Sequence, residues 1–306
     1  MSSGKQPTDL AASVRHRLFN IAKARGEEFQ LVLARYGVER LLYRMSRTSI
    51  SERFVLKGAV LFYVWEGAPH RPTRDVDFLG YRDASPQGVA AAFRSVCQID
   101  VEPDGLNFLS DTVLAAPIRD RQEYGGVRVT LLAMLGNARI PLQIDVGFGD
   151  TVTPTPQVTA FPTLLDFPAP RVRVYPAETV IAEKFHAIVA LGIANTRMKD
   201  FYDLWVISET RVFEGPMLAQ AIGATFTRRG TSLPDERPLG LSEAFVRDSD
   251  KQTQWRAFLN RGRLQDAPKE LEAVANRITT FVLPPVRAAR LGDSFHASWG
   301  SAHFWE

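Results

Sequence analysis

"RPTRDVDFLG", residues 71–80, is the stretch that decides the fold. It ends in apolar residues, as a strand entering a core does, yet it carries Asp75 and Asp77 on either side of Val76. Because side chains alternate along a strand, the two carboxylates share one face, and Val76 and Phe78 share the other. Neighbouring carboxylates repel each other and need either solvent or a cation. The stretch alone leaves two interpretations open, a solvated edge strand or one wall of a functional site.

The composition of the 306-residue chain is that of an ordinary globular protein, 45% hydrophobic and 23% charged, which argues against wholesale disorder. A single cysteine, Cys97, excludes a disulfide framework and a cysteine-rich zinc site. No apolar run approaches the ~20 residues of a membrane span, and the start of the chain has no apolar signal core. We therefore expect a cytoplasmic protein with no membrane partner. The net charge of +3 is compatible with a polyanionic partner.

The segments around the Asp75 strand predict a sheet flanked by helices. Residues 10–47 have a helical pattern rich in basic residues. "FVLKGAVLFYVW", residues 54–65, predicts a short strand, a tight turn at Lys57-Gly58 and a buried helix. A helix is expected over 86–98, with Ser85 as its N-cap and Pro86 at its first position.

A hairpin follows, with Gly136-Asn137 as its turn. In its second strand apolar residues alternate on one face, and Asp145 lies on the polar face as a third strand carboxylate.

Six prolines between residues 154 and 176 indicate a connector between two domains. We expect residues 1–170 to hold the N-terminal helices and the sheet core. Residues 171–306 are expected to form a mainly helical domain with a loose tail from about 286. The predicted helices are 177–191, 197–208, 216–226, 242–259 and 268–282. The fold class is α/β (α+β).

A Lys-Gly turn before a helix, a D-x-D strand and a later strand with a lone aspartate are one way to build nucleotidyl transfer. Two Mg²⁺ ions lower the pKa of the attacking hydroxyl and stabilise the pyrophosphate leaving group. Mg²⁺ prefers hard oxygen ligands, hence carboxylates on neighbouring strands. The turn glycine lets backbone N–H groups approach phosphate oxygens.

Four motifs in this order resemble those of the AbiEii-type toxins: L-K-G-A-x-L (56–61), R-x-T-R-D-V-D-F (71–78), A-E-K (182–184) and T-R-x-K-D-F-Y-D-L (196–204). These toxins are nucleotidyltransferase-like proteins of type IV toxin–antitoxin systems and include the mycobacterial MenT toxins. The resemblance covers about residues 50–210. It departs from the usual pattern at Ala59, where the family has Gly or Ser.

The resemblance implies a polymerase-β-like nucleotidyltransferase core with a mixed sheet. It implies an enzyme that uses Mg²⁺ or Mn²⁺ to transfer a nucleotide from an NTP to the 3′ end of tRNA, which blocks translation. A cognate antitoxin, a transcriptional repressor from the same operon, is the expected partner. The implied residues are Asp75, Asp77, Lys184 and Asp200 for catalysis; Asp75, Asp77 and Asp145 for metal; Lys57, Gly58, Ala59, Arg71, Thr73, Lys184 and Arg197 for the nucleotide; and Lys199 and Asp203 as secondary candidates.

Lys184 stands out independently of the resemblance. On a helical wheel at ~100° per residue, the residues within about 60° of it are apolar: Val180, Ile181, Ala187, Ile188 and Leu191. A lysine at the centre of an apolar arc must reach solvent, meet a carboxylate or point into a cleft. We expect its partner to be a carboxylate from the strand site or Asp200, and its function to be binding a triphosphate.

In "TRMKDFYDL", residues 196–204, we expect Thr196 to cap a helix and Lys199 to pair with Asp203 at i,i+4. The alternative for this stretch is a salt-bridged surface helix.

Other functions compete with transfer. A phosphatase of the haloacid-dehalogenase kind needs Thr or Val where this chain has Leu79, and sugar-nucleotide transferases have no place for the later motifs. A binding protein with an inactive nucleotidyltransferase fold stays open, with Ala59 as its support. The three strand carboxylates and Lys184 favour retained chemistry.

Overall fold

The computed structural model describes residues 9–67, 70–73, 75–118, 125–300 and 302–306. The chain divides into two compact units, the first comprising residues 1–149 with 157–174 and the second 150–156 with 175–306. The sequence predicted a division at 170/171. The structure differs because residues 171–174 form a strand of the first unit's sheet. No helix in the described ranges is long and apolar enough to cross a membrane.

A seven-stranded mixed sheet is the core of the first unit, as far as its residues are described. Its strands are β1 (Phe54–Lys57), β2 (Asp75–Gly80), β3 (Leu106–Ile118), β4 (Gly126–Leu135), β5 (Ala138–Phe148), β6 (Gln157–Ala160) and β7 (Arg171–Val174). Their spatial order is β3-β4-β5-β2-β1-β7-β6. The β2–β5 and β1–β7 pairs are parallel, and the other neighbours are antiparallel. The predicted α/β class with a mixed sheet is confirmed.

One face of this sheet is apolar and packs against helices. The helices of the unit are α1 (Leu10–Arg25), α2 (Phe29–Ser46), α3 (Leu61–Glu66) and α4 (Pro86–Cys97). The ring of Phe78 on β2 lies 6.5 Å from that of Phe93 on α4. A Cβ at Gly37 of α2 would lie 3.2 Å from side-chain carbons of Ile140 and Leu142, so this helix approaches β5 closely. Burying each of these large side chains contributes about 1.5–3 kcal/mol.

Local sequence signals explain where these helices begin and end. The Asp9 carboxylate accepts a backbone N–H at 3.0 Å and starts α1, and Gly26 ends it in the left-handed conformation at φ 65°. The Ser85 hydroxyl accepts the Gly88 N–H at 3.1 Å, and Pro86 is the first residue of α4. The predicted cap of this helix is therefore confirmed.

The hairpin is confirmed, whereas the proline-rich connector is not. β4 and β5 pair antiparallel on either side of Gly136-Asn137. Residues 154–176, predicted as a connector, contain β6 and β7, which pair with each other. Proline cannot donate to a strand ladder, so prolines are placed at strand margins. Here they bound the two strands, one lying between Pro156 and Pro162 and the other between Pro170 and Pro176.

α2 buries charged side chains that tie it to a distant loop. The fully buried Arg40 donates from Nε to Asp104 Oδ2 at 2.9 Å. Arg44 donates to the two oxygens of the same carboxylate at 2.7 and 3.1 Å. Burial alone would raise the pKa of Asp104, but hydrogen bonds and attraction from the two arginines outweigh it and lower that pKa. The Asp104 carboxylate thus supplies negative charge that offsets the buried charges of Arg40 and Arg44.

The second unit is mainly helical, as predicted. Its elements are α5 (Ala177–Leu191), α6 (Met198–Thr210), β8 (Phe213–Glu214), α7 (Gly215–Arg228), α8 (Glu243–Arg247), α9 (Ser249–Gly262), α10 (Leu271–Leu291) and β9 (Ser298–Trp299). The helix predicted over 242–259 is two helices. Asp248 between them has extended backbone, and its carboxylate accepts two N–H groups of the following turn.

The prediction of a loose tail from about residue 286 is wrong. α10 continues to Leu291 with Pro284 and Pro285 inside it. A proline has no N–H for the carbonyl four residues earlier. Pro285 therefore leaves the carbonyl of Phe281 without its helical hydrogen bond. Trp305 Nε1 donates to that carbonyl at 3.0 Å.

A second indole also holds the C-terminal segment. Trp299 is fully buried, and its Nε1 donates to the Ser208 carbonyl at 2.8 Å. β9 pairs antiparallel with β8. Trp299 therefore anchors this segment in the core of the second unit.

We expect Asp104→Asn to destabilise the first unit by about 3–5 kcal/mol, because Arg40 and Arg44 lose the carboxylate that both bind and Arg40 keeps only Glu39, at 3.8 Å, as a counter-charge. Urea unfolding of the full chain measures this as a lower midpoint. Asp166→Asn is the matched control. Its ion pair with Arg17 is exposed, with 43% and 100% of the two side chains accessible, and such pairs contribute at most about 1 kcal/mol. Equal effects of the two changes would contradict this account of α2.

Candidate active site

The two faces of β2 differ as the alternation predicted. Val76 and Phe78 are buried, whereas Asp75 is exposed and Asp77 is half-buried. β2 is a central strand, between β1 and β5, so the alternative of an edge strand is wrong. The carboxylates therefore lie on one face of the sheet interior, with the apolar core behind them.

A row of charged residues crosses four strands on this face. Asp77 is opposite Lys57 of β1 in antiparallel register and opposite Asp145 of β5 in parallel register. Asp145 is in turn opposite Arg128 of β4. Residues directly opposite in neighbouring strands project to the same side. The order across the sheet is thus lysine, aspartate, aspartate, arginine, and we name these four residues the charged row.

The charged row ends in a bidentate ion pair. Arg128 donates from Nε to Asp145 Oδ1 at 2.8 Å and from Nη2 to Oδ2 at 2.7 Å. The hydrogen bond to Asp145 raises the pKa of Arg128 above its ordinary value. Attraction to Asp75 and Asp77 raises this pKa by smaller amounts. Gln143, beside the row, donates to Asp75 Oδ1 at 2.9 Å.

Sequence reasoning missed Arg128, although a signal was present. The hairpin turn at Gly136-Asn137 makes Leu135 the partner of Ala138. Counting outward from that pair places Arg128 opposite Asp145.

The Lys-Gly turn lies close against the Asp77 carboxylate, on the side of β1. Gly58 has φ 77°, and a Cβ at this position would overlap the carboxylate of Asp77. Glycine is therefore required both by the backbone conformation and by the close approach. Ala59 is buried in the short 3₁₀ turn that follows.

Two residues of the segment that precedes β2 are half-buried. Arg71 and Thr73 lie in this segment, and the Thr73 hydroxyl donates to the Asp75 carbonyl at 3.4 Å. Arg74 of the same motif lies outside the described residues.

In the second unit, Lys184 binds two carboxylates of α6. Its Nζ donates to Asp200 Oδ1 at 2.8 Å and to Asp203 Oδ2 at 2.7 Å. Both carboxylates are fully buried, and 12% of the lysine side chain is accessible. Arg197 Nε donates to the second oxygen of Asp200 at 2.6 Å. We name these four residues the lysine cluster.

The lysine cluster keeps a buried carboxylate charged. Burial is the largest influence on Asp200 and alone would raise its pKa. Attraction to Lys184 and Arg197, with their hydrogen bonds, outweighs burial and lowers the pKa of Asp200. The expected pairing of Lys184 with Asp200 is confirmed, and the surface-helix alternative is wrong because Asp200 and Asp203 are both buried.

Two details of α6 differ from the prediction. Lys199 is exposed, while Asp203 faces the interior and pairs with Lys184. Thr196 is not the cap. Asn195 is fully buried, and its side-chain oxygen accepts the Arg197 N–H at 2.8 Å. Sequence reasoning missed Asn195, although Asn is a common residue at helix starts.

The donor set on the sheet face suits Mg²⁺ or Mn²⁺, because Asp75, Asp77 and Asp145 offer hard carboxylate oxygens on one side of adjacent strands. In the part of the chain that the structure describes, no three acidic, histidine or cysteine side chains are grouped closely enough to hold a metal ion. The oxygens of Asp145 are engaged by Arg128. The residues fit the ion in type and strand position, with this arginine as a competitor at the third carboxylate.

Comparisons with known proteins give a family and two structural likenesses. The chain is similar to a putative nucleotidyltransferase from H. pylori at 14% identity and a TM-score of 0.45, with 84% of this chain and 94% of that chain covered. It is similar to JHP933 from Helicobacter pylori at 15% identity and a TM-score of 0.44, with 83% and 88% covered. Likeness at this level does not bear on chemistry. Comparison with curated proteins gives no match.

The family comparison is more extensive. The family described as "Nucleotidyl transferase AbiEii toxin, Type IV TA system" matches residues 40–277, which is more than half of the chain. This range includes the charged row and the lysine cluster. The chain belongs to the AbiEii nucleotidyl transferase toxin family of type IV toxin–antitoxin systems.

Proposed function

We propose that this chain is a metal-dependent toxin that transfers a nucleoside monophosphate from an NTP to the 3′ end of tRNA and so blocks translation. The observation that carries the proposal is the charged row, which sets Asp77 and Asp145 opposite each other on neighbouring strands with Asp75 beside them. Membership of a nucleotidyl transferase toxin family supports the same reaction class.

The reaction needs a stronger nucleophile and a neutralised leaving group. The 3′-hydroxyl oxygen forms a bond to the α-phosphorus, the bond to the β-phosphate oxygen breaks, and pyrophosphate leaves while the hydroxyl proton passes to solvent. Asp75, Asp77 and Asp145 would hold Mg²⁺ or Mn²⁺. When bound, such ions lower the hydroxyl pKa and offset the developing charge.

The turn beside the charged row suits the triphosphate. We assign nucleotide binding to Lys57, Gly58 and Ala59, because a glycine at positive φ lets backbone N–H groups approach anionic oxygens. Arg71 and Thr73, in the segment before β2, are proposed to extend this binding.

We assign Lys184 to the triphosphate as a positioned charge, with Asp200, Asp203 and Arg197 keeping it in place. The four groups are held by contacts of 2.6–2.8 Å, so the ammonium needs little reorganisation before it acts. Preorganised charge of this kind is usually the largest catalytic term. Lys199, which is exposed, is proposed only as an auxiliary cation for RNA.

A cognate antitoxin, a transcriptional repressor from the same operon, is the proposed partner, and the cytoplasm is the proposed compartment. A binding protein without catalysis is the competing outcome of the tests below.

We expect Asp77→Asn to abolish growth arrest when the chain is expressed without its antitoxin. Incorporation of labelled NTP into total tRNA should fall by more than about 100-fold, because a central metal ligand is lost. Asp166→Asn, which removes an exposed carboxylate, should arrest growth as the wild type does. Arrest without transfer, unaffected by Asp77→Asn, would favour the binding protein.

Gly58→Ala should lower transfer more than it lowers stability. The added methyl would overlap the Asp77 carboxylate and displace it from the charged row. Gly26→Ala is the matched control, because Gly26 also has positive φ (65°) and a Cβ there has no atom within 4 Å. Comparable loss of transfer in both variants would show that backbone strain alone explains the effect.

Lys184→Met should lose transfer by roughly 100-fold or more. It should also destabilise the second unit by about 3–5 kcal/mol, because two fully buried carboxylates lose their shared cation. Thermal melts and transfer rates on one sample separate the two effects.

The double variant Lys184→Met with Asp203→Asn removes one of the buried negative charges. It should recover part of the stability and none of the transfer. Recovery of transfer along with stability would make Lys184 a structural residue.

A further inference from the structure

Arg128 occupies the carboxylate that the proposed function assigns to a metal ion. Its fork engages both oxygens of Asp145, at 2.8 and 2.7 Å. Asp75 is bound differently, by the neutral side-chain amide of Gln143. The guanidinium of Arg128 therefore places a full positive charge against Asp145, at the position where a divalent cation would bind.

A carboxylate has about four in-plane lone-pair sites, and a bidentate guanidinium takes two of them, one on each oxygen. A divalent cation at the same oxygens would also meet the positive charge of the arginine at close range. Repulsion between the two positive charges and the lone pairs already taken therefore make the two cations competitors at Asp145.

We propose that Arg128 is an internal counter-ion, and that it and a divalent cation are alternative partners of Asp145. This inference rests on the proposed function, which makes Asp145 a metal ligand. In the resting protein Arg128 offsets the repulsion among the strand carboxylates. A divalent ion displaces it when the site is loaded.

The exchange is accessible because the pair is not deeply buried. The Arg128 side chain is 46% exposed and that of Asp145 is 19% exposed. The guanidinium can therefore leave into solvent, and Mg²⁺ and Mn²⁺ take carboxylate oxygens in preference to other protein ligands.

Displacement also provides a second role for the arginine. It is anchored on the carboxylate face of the sheet, opposite Asp145. A guanidinium released there can bind phosphate oxygens with two parallel hydrogen bonds. Loading the metal would thus free a phosphate-binding group beside the site.

The test measures binding of Mn²⁺ alone to the full chain, by calorimetry or by the Mn²⁺ paramagnetic resonance signal, without nucleotide. Arg128→Gln should tighten Mn²⁺ binding roughly tenfold, because the competing charge is removed. Arg139→Gln is the matched control. It removes an exposed arginine from the same hairpin and should change the affinity by less than about twofold, since distant exposed charges are screened.

A double-mutant cycle locates the effect. In an Asp145→Asn background, Arg128→Gln should leave Mn²⁺ affinity unchanged, because the shared ligand is gone. Arg128→Lys keeps the charge without the fork and should give an intermediate affinity. It also serves if Arg128→Gln fails to fold.

Unchanged or weaker Mn²⁺ binding by Arg128→Gln would overturn the proposal, as would equal tightening by Arg139→Gln. The proposed function is tested separately, by measuring nucleotide transfer. Normal transfer with no change in Mn²⁺ affinity would refute the counter-ion alone. If the Mn²⁺ affinities change as expected but the wild-type chain transfers no nucleotide, the proposed function alone is refuted.

Discussion

Neighbouring carboxylates on one face of a sheet repel each other, so their negative charge must be offset. The organisation of the first unit follows from how the sheet supplies the positive charges. Asp77 and Asp145 lie side by side, with Lys57 beyond the first and Arg128 beyond the second. The negative charges are thereby flanked by positive ones. A register slip of one residue would turn the carboxylates into the core where Phe78 is buried, so the apolar face and the charged row specify each other.

The second unit meets the same requirement by burial. Asp200 and Asp203 are removed from water altogether, and Lys184 supplies the cation that both need. Such a cluster contributes little net stability, because desolvation offsets much of the attraction. What it provides is a fixed position for one ammonium group. The two arrangements differ in their exposure to solvent: the Arg128 pair is partly exposed, as its proposed exchange requires, whereas the carboxylates of the lysine cluster are fully buried.

Membership of the AbiEii toxin family defines the reaction class, and the residues of the two units define what each group can contribute. Asp75, Asp77 and Asp145 lie on one face of the sheet and are exposed or half-buried, so a hydrated ion and its nucleotide can reach them. A lysine held by two carboxylates is positioned before any ligand arrives.

The sequence by itself determined what depends on neighbours along the chain. Alternation placed Asp75 and Asp77 opposite the core, the glycine turn defined the hairpin, and helical periodicity put Lys184 inside an apolar arc. Tertiary structure decided what depends on pairing between distant segments. Examples are the partner of Lys184, the pairing of β6 with β7 in the proline-rich stretch, and the hydrogen bond from the Trp305 indole to the Phe281 carbonyl. Arg128 lies between these cases, since its position follows from hairpin register but its hold on Asp145 requires two side chains to meet in space. Local periodicity fixes the face on which a side chain lies, whereas long-range packing fixes the group that it meets there.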